Sequence, residues 1–138
     1  MRILGLDIGT KRIGVALSDM LMITAQGLDT ITRTNLAADL AAIRKLVEEN
    51  GVSEIVAGLP ISMDGTHSAK TRETLEFKDA LAKAVAVPVK TWDERLTSMQ
   101  AERIMLEGDL SRQKRKMLSD KIAAQLILQS YMGTIKKG

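Results

Sequence analysis

Hydrophobic positions recur at every second residue through the first eighteen of the chain. Leu4, Leu6 and Ile8 share one side of residues 2–8; Ile13, Val15 and Leu17 share one side of residues 12–18, with Gly14, Ala16 and Ser18 on the other. A period of two marks half-buried strands, and the Gly9-Thr10-Lys11 turn joins the pair as a hairpin. A third strand is expected around 24–31, after the methionine-rich turn at 20–22. The period then changes. Thr34-Asn35 offers an N-cap, and Leu36, Leu40, Ile43 and Val47 recur at helical spacing until Asn50-Gly51 stops the helix. Residues 53–59 form a short apolar strand ended by Pro60, and ISMDGTHS is turn chemistry centred on Asp64-Gly65. A helix from about Ala69 to Ala84 follows, then a strand from Pro88 to Trp92 that begins on a proline, as a strand tolerates. A helix over 98–107 ends at Gly108; the basic stretch 111–116 leads into a last helix to about Met132, ended by Gly133. The order β-β-β-α-β-α-β-α-α predicts an α/β fold with a mixed five-stranded sheet. Its first three strands form an antiparallel meander, and the fourth and fifth are parallel strands connected by helices.

Composition narrows the function. With 138 residues, 45% of them hydrophobic, and no repeat or linker, the chain is expected to fold as one domain over 1–138. The absence of cysteine excludes a disulfide framework, a thiolate zinc site and a cysteine nucleophile. No run approaches the ~20 apolar residues of a membrane span, and the N-terminus lacks the layout of a signal peptide, so a cytoplasmic protein is expected. The formal charge of +3 and pI near 9.3 say little about partners. Distribution says more: basic residues gather at Lys11-Arg12, at Lys70 with Arg72, and at Arg112 with Lys114-Arg115-Lys116, whereas Asp39, Glu48, Glu49, Glu54 and Glu76 lie elsewhere. Each run alone could be a solvated loop. Phe77, Trp92 and Tyr131 are the only aromatics, too few for base stacking to be the main binding mode. The lone His67 in its turn is a poor zinc candidate, and the eight methionines read as filler.

Three carboxylates stand where the pattern asks for apolar residues or for a strand end. Asp7 interrupts the first strand's apolar run, on the face opposite Leu4, Leu6 and Ile8, and buried acids rarely occur without a partner. Gly9, Thr10 and Lys11 follow it, giving a backbone that can approach a phosphate and a cation to neutralise one. Asp93 and Glu94 come at the C-terminal end of the strand 88–92, where open α/β sheets place ligand sites, although one of them could serve only as a helix N-terminal acid. Asp120, at ~100° per residue, shares a stripe with Ala123, Ala124, Ile127 and Tyr131 rather than with Lys121, Gln125 and Gln129. A buried salt bridge to an arginine is the structural alternative there. Oxygen-only ligands converging from distant positions suit magnesium or manganese, and crowded carboxylates raise one another's pKa until metal enters. Two such ions can activate the attacking water and stabilise the departing oxygen of a phosphodiester. An acidic centre that acts on a polyanion needs a basic rim, which Lys11, Arg12, Arg72, Arg95, Arg112, Lys114, Arg115 and Lys116 could supply.

Four segments, LGLDIGTKRIGVALSD, VAGLPISMDGT, DERLTS and DKIAAQLILQSYM, in this order and spacing, resemble the YqgF/RuvX family of bacterial RNase H-like proteins. That family comprises Holliday junction resolvases and nucleases that mature the 5′ end of pre-16S ribosomal RNA. The resemblance implies an RNase H-like fold and catalytic, metal-binding roles for Asp7, Glu94 and Asp120, with Asp93 in reserve beside Glu94. It also implies substrate-side roles near Lys11, Arg12, the loop 60–66 and Arg95. Ser62, where asparagine is expected, and Ser98, where threonine is commoner, depart from the pattern without touching the acids. The expected function is a magnesium- or manganese-dependent endonuclease acting on structured nucleic acid, foremost pre-16S rRNA. The alternative within the class is a resolvase of four-way DNA junctions, which requires two active sites and hence a homodimer. From another class, an actin-like ATP-binding phosphotransferase shares the D-x-G-T turn, but such enzymes close two lobes around the nucleotide and this chain supplies one. A binding module without catalysis would have no use for all three acids.

Overall fold

The computed structural model describes residues 1–94 and 112–136, with side chains over 1–94 and 121–134. Its strands are β1 (Arg2–Ile8), β2 (Arg12–Ser18), β3 (Ala25–Thr32), β4 (Val52–Leu59) and β5 (Val89–Asp93). The helices are α1 (Leu36–Asn50), α2 (Ala69–Ala84) and α3 (Arg112–Lys136). The sheet runs β3-β2-β1-β4-β5, antiparallel across β3-β2-β1 and parallel across β1-β4-β5, as the hydrophobic pattern predicts. The helix expected over 98–107 lies outside the described residues.

Local chemistry explains the helix bounds. The Asn35 side chain accepts from the Ala38 amide at 2.9 Å, and Gly51 takes the left-handed conformation (φ 61°) that closes α1 onto the Val47 carbonyl. Ser68 and Thr71 form a reciprocal capping box at the start of α2. Thr71, fully buried, also donates from Oγ1 to the Pro60 carbonyl, which ties the loop 60–68 to the first turn of α2.

Two apolar layers cover the sheet. Leu4, Leu6 and Ile8 of β1, with Ile13, Val15 and Ile55, pack against Ile43 and Val47 of α1 and Phe77 and Leu81 of α2. On the other face Ile3, Ala16 and Val56 meet Ala124, Ile127, Leu128 and Tyr131 of α3. Each such fully buried aliphatic side chain contributes about 1.5–3 kcal/mol. Close approach of α3 is set by glycine: a Cβ on Gly5 would stand 2.9 Å from Leu128 Cβ and 3.1 Å from the Ala124 carbonyl oxygen. At the far end of α3 the Tyr131 hydroxyl donates to Glu54, itself 2.8 Å from Lys90 Nζ, and the Tyr131 ring meets Trp92 edge-on. All three aromatic side chains are thereby committed to the interior.

Several boundaries and faces differ from expectation for identifiable reasons. The last helix begins at Arg112, so the basic run forms its first turns rather than leading into it, and it passes Gly133 to reach Lys136. A glycine permits a helix to stop but does not compel it. The fifth strand starts at Val89, since Pro88 has no N–H to give the ladder, although its carbonyl accepts from Ile55 at 2.9 Å; Asp93 is in turn the strand's last residue, paired with Leu59. In α1 the inward stripe is Asp39, Ile43 and Val47, whereas Leu36 is exposed. Of the supposed wet stripe on α3 only Gln129 is exposed: Lys121 lies across Gly27 of β3, and Gln125 donates to the Ala25 carbonyl at 3.1 Å.

Candidate active site

Strand parity decides where Asp7 points. It shares its side of β1 with Ile3 and Gly5, the residues pressed against α3, and not with the Leu4-Leu6-Ile8 side that fills the other core. β1 pairs with β4 through Leu6–Ala57, and β4 with β5 through Gly58–Trp92 and Leu59–Asp93. Glu94 follows directly, and its Cγ and Oε1 lie over Gly58 on the face that α3 covers. The register therefore brings the acid of the first strand and the acid after the fifth together, although 87 positions separate them in sequence.

Their electrostatics follow from that meeting. Glu94 is pushed up to about 9, first by burial, then by its side-chain hydrogen bond to Asp7 and the charge of Asp7; the Lys70 ammonium pulls the other way, and Asp93 adds to the rise. Burial and the neighbouring acid favour the protonated form of Glu94, which shares a side-chain hydrogen bond with Asp7. Among the described residues these two acids are the pair that converges, and no group of three does so. Asp120 belongs to α3, one helical turn before Ala124, which packs on Gly5. α3 crosses the sheet from β3, where Lys121 lies over Gly27, past Gly5 of β1 to β4, where Ile127 lies over Gly58 and Tyr131 meets Glu54. The side chains of Asp120, Arg112, Lys114, Arg115 and Lys116, and the whole of Arg95, lie outside the described residues.

The turn that carries Asp7 is braced from below. Gly9 donates to the Arg12 carbonyl at 2.9 Å, and a Cβ on Gly9 would stand 2.7 Å from that oxygen. The Gly9 carbonyl in turn accepts from Arg33 Nη1 at 2.7 Å. Arg33 is itself fixed by Asp39 (Nε–Oδ2 3.0 Å) and by the Phe77 ring, 5.0 Å from its guanidinium carbon. Asp39 is 2% exposed and also accepts from the Thr34 amide at 3.1 Å. A cavity of about 20 Å³, room for one water molecule, lies between this turn and α2, bounded by Gly9, Thr10, Arg33, Lys70, Glu73 and Thr74.

Of the expected basic rim, Lys11 and Arg12 flank this turn at the Asp7 end of the sheet, with Lys11 exposed and Arg12 half-buried. Arg72 is exposed on α2. Lys70, in the first turn of α2, is the cation whose charge reaches Glu94, and neither it nor Arg33 was among the expected site residues. The sequence held a signal for Lys70: the Ser68-x-x-Thr71 cap places it in the first turn of a helix that follows the loop from β4. Arg33 carried none, since its partners come from three separate elements. The loop 60–66 is ordered by its own bonds, Gly65 N–H to the Ser62 carbonyl at 2.8 Å and the Thr66 hydroxyl to Asp64 Oδ1 at 2.7 Å.

The fold has counterparts among known proteins. In solved structures the chain matches a Thermus thermophilus RuvC in complex with a Holliday junction substrate, with a TM-score of 0.62 at 17% identity over 97% of both chains. It also matches the fowlpox virus Holliday junction resolvase, with a TM-score of 0.60 at 16% identity over 98% of this chain and 99% of that one. At that identity the likeness establishes the RNase H-like fold shared with these resolvases. In sequence it is 51% identical over 135 residues, 98% of this chain and all of the relative, to a Clostridium acetobutylicum protein named "Putative pre-16S rRNA nuclease". A Syntrophomonas wolfei protein of the same name is 53% identical over 132 residues, 96% of this chain and 94% of that one. The model of the family described as RuvX, Holliday junction resolvase, matches residues 1–134, and the chain belongs to that family.

Proposed function

We propose that the protein is a divalent-metal-dependent endonuclease in which Asp7, Glu94 and Asp120 hold the ion, with Asp93 beside them as the reserve ligand. The observation that carries this reading is the meeting of Asp7 and Glu94 on the α3 face of the sheet. Two carboxyls forced together in a half-buried place are uncomfortable without a cation, and their all-oxygen donor set fits magnesium or manganese. Asp120, one turn before the helix segment seated on Gly5, is the third donor of this proposal.

A bound ion would supply Lewis acidity to a phosphodiester oxygen and make water a better nucleophile. The chain's own groups do the remainder. Asp7 and Glu94 orient the donor oxygens, and the Glu94 proton leaves to solvent as the cation enters. Lys70, Lys11 and Arg12 hold the phosphates around the scissile bond, and the groups from 112 to 116, with Arg95 and Arg72, extend that positive field along the nucleic acid. Water adds to phosphorus and the P–O bond to the leaving sugar breaks; the water gives up its proton to solvent and the departing sugar oxygen takes one from it. Membership of the RuvX family leaves the actin-like phosphotransferase reading without support.

The substrate follows the relatives' names in the first instance: structured precursor RNA at the 5′ end of 16S rRNA. The family description and the resolvase fold favour a second reading, four-way DNA junctions. One experiment addresses the class and the substrate. Purified protein with manganese is offered a precursor 16S fragment and a four-way DNA junction side by side, with Asp7→Asn in parallel. The expected result is cutting at defined positions in the RNA, abolished by Asp7→Asn with folding unchanged. Cleavage by Asp7→Asn at the wild-type rate sinks the metal-site assignment, and defined cutting of the junction alone selects the second reading.

A further inference from the structure

Gly58 lies at the C-terminal end of β4, paired with Trp92 and directly beneath Glu94. A Cβ built there would be 2.6 Å from Glu94 Oε1 and 2.8 Å from Glu94 Cγ, and would run into Ile127 Cδ1 of α3. Its backbone needs no glycine for conformational reasons, since the left-handed glycines of the described residues are Gly51 and Gly65. In a strand interior glycine is a poor choice, because it forfeits packing and costs chain entropy. The neighbours Val56 and Ala57 both carry side chains and are fully buried. What Gly58 provides is a gap one methyl group wide, and the Glu94 carboxyl occupies it.

Resting on the metal-site reading above, we infer that Gly58 is a positioning residue for Glu94: its missing side chain lets the carboxyl lie flat on the sheet and reach Asp7. Any larger residue lifts Glu94 off β4, and the pair that would grip the cation comes apart. Ile127 closes the gap from the α3 side, so a substitution at 58 disturbs two contacts at once, one structural and one functional. Those two can be separated, because Ile127→Val removes the Cδ1 atom that a residue-58 side chain strikes and leaves Glu94 untouched.

The test compares wild type, Gly58→Ala, Ile127→Val, Gly58→Ala/Ile127→Val and Glu94→Gln by thermal unfolding, by calorimetric titration with manganese alone, and by metal-free crystal structures. Gly58→Ala is expected to unfold at lower temperature and to bind manganese about 10–100-fold more weakly, the usual cost of disturbing a ligand's support. Adding Ile127→Val returns the unfolding temperature toward wild type but not the manganese affinity, and in that double variant Glu94 is displaced from Asp7. A double variant that binds manganese as wild type does, or whose Glu94 still meets Asp7, overturns the inference. If wild type and Glu94→Gln bind manganese equally, the metal-site reading fails instead; the crystal structure of the double variant then decides the role of Gly58 alone.

Discussion

Burial beside Asp7 holds Glu94 in its protonated form, which a cation can use only once the proton has left. Its ordinary value is 4.5 and burial beside Asp7 pushes it to about 9, so between those limits the folded chain keeps a proton that the unfolded chain has released. Stability falls with pH wherever the folded state holds the extra proton, so this group's contribution is fullest below about 4.5 and is lost as pH rises toward 9. The unfolding temperature of metal-free protein is therefore expected to decline across that window. Glu94→Gln keeps a donor toward Asp7 and cannot ionise; it should flatten the decline and, at pH 8, raise the unfolding temperature by at least ~3 °C, the shift that about 1 kcal/mol gives in a chain of this size. Thermal scans from pH 5 to 9 in chelator check this, and parallel curves for the two proteins would refute it. Metal should invert the trend. Since the proton must leave for the ion to bind, manganese affinity should rise with pH, by up to ~10-fold per unit, and level off near 9.

Helix ends and Asp7 were legible in sequence for the same reason, that their signals are local, whereas the choice of Glu94 over Asp93 rested on the family resemblance. Asn35, Ser68 and Gly51 act within four residues of themselves, and Asp7 announces itself by interrupting an apolar run. What escaped depends on register between distant segments. Gly58 looked like any strand glycine until β5 placed Glu94 on it, and Lys70 became a site residue only once α2 was docked beside the end of β5. Asp39 read as an ordinary helix acid, yet through Arg33 it ties α1 to the β1–β2 turn. Arg33 joins β3's end, the first turn of α1, α2 through Phe77 and the Gly9 carbonyl, so Asp39→Ala should loosen several elements together. It leaves a guanidinium, 25% exposed, without its anion. Loss of a fully buried partner costs about 3–5 kcal/mol, and the partial exposure brings the expectation down to about 2–3 kcal/mol. Denaturant unfolding measures it. Asp39→Asn, which keeps one acceptor oxygen for either Arg33 or the Thr34 amide, should recover part of the loss; no difference between the two variants would mean that the charge alone carries it.

At the scale of the whole molecule, one end of the sheet collects the turn with Lys11 and Arg12, the Asp7–Glu94 pair and Lys70. The opposite end, with the Tyr131-Glu54-Lys90 cluster, is closed by its own ion pair and hydrogen bond. A net charge of only +3 concentrated in this way should act locally, through individual phosphate contacts rather than a long-range field. Each contact that releases a counterion contributes about 0.9 to the slope of log affinity against log salt on a duplex and about 0.7 on a single strand. Replacing Lys11 and Arg12 by glutamine should therefore lower that slope by about 1–2 and weaken binding alike for every sequence. Cleavage products bear on stoichiometry. Resolution of a four-way junction needs two opposed cuts, and a chain that brings one pair of acids must bring a second copy to make both. On a supercoiled plasmid with an extruded cruciform, a dimer cutting twice within one binding event yields linear DNA without a nicked precursor. A monomer yields nicked circles first. Chains acting singly on precursor RNA should show the second pattern at every protein concentration, with cleavage of the RNA proportional to enzyme. Linear product appearing without lag, and rising as the square of protein concentration, would instead establish a dimeric resolvase.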